Sequence, residues 1–132
     1  MDTEKVCVNL PAAELGKMDV LVAQGLYSSR TDLIRAGIRR TIEENHEAVH
    51  HVVEGGARIG YQILTKTELD GVKVGGTKLN VFVIGVLRIQ SSVTPELADA
   101  TIERIQIFGS VKGPPAVLAR LEDKIVHGFG IK

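Results

Sequence analysis

KVCVNLPAAEL, residues 5–15, opens with the alternation of a strand and ends in helix formers after a single proline. Val6, Val8 and Leu10 fall on one face, while Lys5, Cys7 and Asn9 fall on the other, the period of a half-buried strand. No second strand follows nearby, so its ladder amides and carbonyls need a partner from elsewhere. Pro11 lacks an amide proton and suits the start of a helix, and AAELGKMDVLVAQG continues as one. Leu15, Met18, Leu21 and Val22 make its inward stripe, and Gly25 closes it.

After LYSS comes SRTD, in which the Ser29 hydroxyl caps the Asp32 amide while Asp32 reaches back, a capping box with Asp in the usual Glu position. A second helix starts there. Leu33, Ile34, Ile38, Ile42, Val49, Val52 and Val53 recur at helical spacing, which predicts a helix from Arg30 to about Glu54, where GG ends it. One strand and two amphipathic helices cannot enclose a core alone, because so small a unit buries too little surface. Residues 1–54 are therefore expected to form an obligate dimer.

KVCVNLP, the helix ending in QG, and LYSSRTDLIRAGI together resemble the ribbon-helix-helix family of DNA-binding proteins, the Arc and MetJ type, over residues 4 to about 45. The resemblance implies that two subunits intertwine and that each strand pairs antiparallel with its twofold mate, the ribbon entering the major groove of double-stranded DNA. It places Lys5, Cys7 and Asn9 against base edges, and Ser28, Ser29 and Arg30 at the phosphate clamp that opens the second helix. Two positions depart from the family's pattern: Cys7 stands where a polar reader is usual, and Asn9 often corresponds to a basic residue.

Charge adds little to this reading. Sixteen basic and sixteen acidic residues cancel, and residues 1–54 carry six Lys or Arg against nine Asp or Glu. The general basic footprint of a nucleic-acid binder is missing, so binding would rest on a few placed cations and amides. The single cysteine excludes an internal disulfide framework, and the N-terminus has no signal-peptide pattern, which leads to a cytoplasmic expectation. VFVIGVL at 81–87 is too short to span a bilayer, and no membrane partner is expected.

His46 and His50 lie one turn apart beside Glu43 and Glu47, a spacing that can hold a divalent metal but that exposed helices often carry without one. Nickel-responsive repressors join a ribbon-helix-helix head to a sensor domain, yet their histidine and cysteine set has no counterpart after residue 60 here, where His127 stands alone. No cofactor is expected. Isolated Cys7, Ser29, Asp70 and Glu122 do not compose a catalytic set, so the chain reads as a non-enzyme.

From Gly55 the texture changes to Gly pairs and Val/Ile runs, giving a boundary at 55–60 and a β-rich domain over 61–132. Strands are predicted in ARIGYQILT, GVKV, KLNVFVIGVLRI, ERIQIFGSV and KIVHGFGI, with helices in TPELADATI and PPAVLARLEDKI. VFVIGVLRI...TPELADATI is echoed by IQIFGSVKG...PPAVLARLEDKI, an imperfect strand-helix repeat whose exposed ends suit subunit contact. The whole is expected to be an α+β regulator, a repressor, with an intertwined dimeric head and a C-terminal domain that assembles tetramers or larger oligomers. A compact effector-binding fold is the alternative for the second half. For the whole chain the alternatives are a self-assembling scaffold and an antitoxin, whose tail would be more polar than this one.

Overall fold

The computed structural model describes residues 3–130 and divides into two units, one of Thr3–His51 and one from Val52 onward. In the first unit, α1 (Ala12–Ala23) and α2 (Arg30–Glu44) follow a stretch at 3–11 that carries no regular element. Gly25 closes α1 in a left-handed conformation at φ +80. That turn sends the amide of Leu26 back to the Leu21 carbonyl (3.1 Å) and that of Gly25 to Val22 (3.0 Å), the double bond of a Schellman end. A residue with a Cβ would be strained there.

The long second helix expected to run to Glu54 is broken. α2 stops at Glu44, and α3 (His46–Glu54) begins after Asn45, which sits outside helical geometry at φ −113, ψ 26. Side chains explain the stop. The Asn45 amide group donates to the Thr41 carbonyl at 2.8 Å, and His46 Nδ1 lies 3.1 Å from the Glu43 carbonyl, so the end of α2 is capped from within.

The second unit is a parallel sheet. β1 (Arg58–Leu64), β2 (Leu79–Ile89), β3 (Ile102–Lys112) and β4 (Ile125–His127) pair in sequence order, each parallel to the next. Between them run α4 (Lys66–Val74), α5 (Pro95–Thr101) and α6 (Pro115–Arg120), packed in succession, with a 3₁₀ turn at Glu122–Lys124. Strand, helix, strand is the connection that parallel pairing requires.

GVKV at 71–74 is the end of α4 and not a strand: Thr65 accepts the Glu68 amide at 3.1 Å and starts a helix that runs through it. ARIGYQIL and that helix therefore make a first strand-helix unit ahead of the two echoed ones. β1 also begins at Arg58, inside the stretch 55–60 read from sequence as linker.

Glycines mark the units. Gly60, Gly85 and Gly109 are in register across β1, β2 and β3, and all three have positive φ. A Cβ at Gly85 would come within 2.2 Å of the Gly60 carbonyl oxygen, and one at Gly109 within 1.9 Å of that of Gly85. The adjacent backbones occupy the space of a side chain, so Gly85 and Gly109 are each fixed by the unit before.

The core lies between sheet and helices. Val83, Leu87, Ile89, Ile105 and Ile107 meet Leu69, Leu97, Ala98, Val117 and Leu121 there, all at most 7% exposed. Buried Thr101 is satisfied, its hydroxyl donating to the Leu97 carbonyl at 2.7 Å. Lys124 spans the end of α5, its ammonium donating to the carbonyls of Asp99 (2.8 Å) and Ile102 (2.9 Å) and pairing with the Asp99 carboxylate (2.9 Å).

Candidate nucleic-acid interface

The first unit has no core of its own. No residue of α1, α2 or α3 is buried, and Leu15, Met18, Val22 and Leu33 are only half-covered. Ile34, Ile38 and Ile42 line an open apolar groove on α2 with Leu33, Gly37 and Thr41. Val6 and Val8 are 79% and 70% exposed. Apolar side chains at strand and helix spacing, all left in water by one chain, are the surface of a structure completed by something else.

Lys5, Cys7 and Asn9 alternate with those valines in the stretch before α1, and all three are exposed. A single chain offers this stretch no neighbouring strand among the described residues. Whether their side chains project together depends on strand pairing, which fixes alternate residues on one face.

At the start of α2 the cap forms as the sequence indicates, with one shift. Ser29, extended at φ −162, accepts the Asp32 amide at 3.0 Å. The Asp32 carboxylate reaches back to the amide of Ser28 at 3.0 Å, one residue before the position a capping box uses. The Ser28 amide is thereby engaged within the chain. The amides of Ser29, Arg30 and Thr31 are left at the helix's positive end, where geometry gives them no partner within the helix.

Arg30 is also engaged. Its Nε and Nη2 each donate at 2.8 Å to the two oxygens of Asp19 on α1, a bidentate pair that ties the two helices. The hydrogen bond and the neighbouring charge hold the Asp19 carboxyl below its ordinary range and raise the guanidinium further. Both side chains are half exposed, so the pair is open to exchange with another anion. Asp19 is a member of this site that the sequence did not reveal, because a pairing eleven residues apart across a turn leaves no helical spacing to read.

His46 and His50 share α3, and the first of them faces the Glu43 carbonyl. No group of three or more His, Cys, Asp or Glu residues able to hold a metal occurs among the described residues. Nor is any helix among them long and apolar enough to cross a membrane.

Two helices behind an alternating segment, with a Ser-capped second helix and an uncovered apolar stripe, make up the first unit. The chain belongs to the ribbon-helix-helix transcriptional regulator family, whose model matches residues 1–118. Proteins of this family bind DNA, typically as dimers. The match extends well beyond the head into the strand-helix units. No curated protein and no solved structure matches the chain.

Proposed function

We propose that this chain is a sequence-specific repressor whose two heads pair residues 5–10 into an antiparallel ribbon that enters the major groove. The observation that carries the reading is the alternation of exposed Val6, Val8 and Leu10 with Lys5, Cys7 and Asn9: paired across a twofold axis, the first set covers the half-buried stripes of α1 and α2 and the second faces outward. Lys5 then addresses guanine acceptors and Asn9 the edge of adenine, with Cys7 between them as a small semi-polar contact. The free amides of Ser29 and Arg30 receive a backbone phosphate. The strand-helix units join copies of the chain, which raises the effective concentration of weak, slightly acidic heads on repeated sites.

The test is selection from fragmented genomic DNA at two salt concentrations, together with the mass of the protein. A short inverted or tandem repeat should be enriched and held less tightly at high salt, and Lys5→Ala with Asn9→Ala should abolish the enrichment without changing the mass. Asp19→Asn, which releases Arg30 toward phosphate, should steepen the salt dependence by about one phosphate contact. Absence of any enriched sequence would refute the repressor reading. The acidic balance of the head favours one competing reading, a scaffold in which the head only clasps two chains; a large stable assembly with no DNA preference would establish it.

A further inference from the structure

The two edges of the parallel sheet differ. β4 has only three residues and runs into the turn where the Gly128 amide returns to the Ile107 carbonyl at 2.8 Å. β1 has seven residues, no proline, and one charge, Arg58, at its start. Natural sheets shorten, charge or cover an edge to stop it pairing. Here one edge is blunted and the other is not.

The open edge has its hydrogen-bonding groups set outward. The Gln90 amide donates to the Leu64 carbonyl at 3.0 Å, so Leu64, and by the alternation of the ladder Gln62, turn their backbone groups toward β2. Those of Tyr61 and Ile63 face away from the sheet. Ile59, Tyr61 and Ile63 are the strand's exposed apolar side chains, at 62%, 48% and 44%, on the face opposite buried Leu64. Donors, acceptors and apolar groups at a spacing of two fit another strand and nothing else as well.

We propose that the occupant is β1 of a second copy of this chain, antiparallel and centred on Tyr61. This deepens the proposed role of the strand-helix units in joining copies and rests on it. Like meets like because a twofold contact uses the same patch on both sides. A head-to-tail contact would set seven residues of β1 against the three of β4. Centring on Tyr61 places it opposite the partner's Tyr61, Ile59 opposite the partner's Ile63, and Arg58 opposite the partner's Leu64, so no like charges face each other. Two chains already paired elsewhere meet at a raised effective concentration, which favours the β1 contact. Two four-stranded sheets become one sheet with an antiparallel seam.

The full chain with Cys7→Ser tests this after adding Tyr61→Cys or, as a control, Cys at Val74, which is 89% exposed at the end of α4. Facing residues of a hydrogen-bonded antiparallel pair lie about 5.5 Å apart at Cα, within disulfide reach. Mild oxidation should cross-link the position-61 variant at least about tenfold faster than the position-74 control; equal rates, or none at 61, would overturn the proposal. Register is read separately. Adding Ile59→Lys with Ile63→Lys should abolish the cross-link at 61, whereas Ile59→Lys with Ile63→Glu should keep it, since opposite charges then face each other. Equal behaviour of the two doubles would overturn the register. The mass of the unmodified protein separates the two readings: a monomer removes any joining of copies, while a stable oligomer without the position-61 cross-link removes only this edge.

Discussion

Gly85 and Gly109 are the residues on which the sheet's spacing turns. Each combines positive φ with a neighbouring carbonyl where its Cβ would stand. Gly60 shares the conformation, but a Cβ there meets nothing within 4 Å. Strain at such a φ costs about 1–3 kcal/mol, and displacing a ladder carbonyl adds to it. Gly85→Ala and Gly109→Ala should therefore lower the melting temperature of the strand-helix unit far more than Gly60→Ala, as followed by circular dichroism. A mild Gly85→Ala, equal in effect to Gly60→Ala, would show that the strands can separate at little cost. In the sequence, these glycines were visible as punctuation within apolar runs; that they stack on one another was not, because stacking depends on the parallel register.

At the scale of the element, α5 shows how a short helix is held at both ends. Thr94 accepts the Leu97 amide at 3.2 Å at its start, and Lys124 binds the carbonyls at its end. The Lys124 ammonium, with a smaller contribution from Arg120, keeps the Asp99 carboxyl below its ordinary value of 3.8. A depressed folded pKa gives stability that is present above the unfolded value and is lost as pH falls through the folded one. Unfolding followed across acid pH should thus show the wild type losing stability below about pH 4 more steeply than Lys124→Met. Parallel curves would mean that the ammonium acts on the carbonyls alone. The N-terminal cap at Ser29 could be read from a Ser standing three residues before Asp32, and the start of α5 from the proline of TPELADATI. GVKV hides the helix that Thr65 caps, because its two valines alternate like a strand within a segment too short for helical periodicity to assert itself.

For the molecule as a whole, the contrast between its two units governs behaviour. The strand-helix unit has a contiguous core, whereas the head buries no residue of its helices in a single chain. A structure completed by a second copy gains stability with concentration, since association stabilises only the folded form. Thermal unfolding measured over a hundredfold range of protein concentration should show a head transition that rises with concentration. Under dilution that drives the chains apart, helicity from residues 12–51 should fall while the sheet persists. A head transition independent of concentration would mean that one chain folds its head alone.

What the sequence determined by itself was local: the period-two stretch at 5–10, the proline and glycine that bracket α1, the Ser29 cap, and the change of texture after Glu54. These follow from the preferences of a few adjacent residues and from which side chains avoid water, both written directly in the order of the amino acids. The surplus of apolar stripe was legible too, because so short a segment carries more of it than it can cover. Only the tertiary structure decided what depends on residues far apart meeting. It set the parallel order of the four strands, the glycine ladder, the engagement of Arg30 by Asp19 and of the Ser28 amide by Asp32, and the place of β1 at one end of the sheet. Each is a matter of which backbone or charge arrives beside another, and no local preference specifies that until the chain has closed on itself.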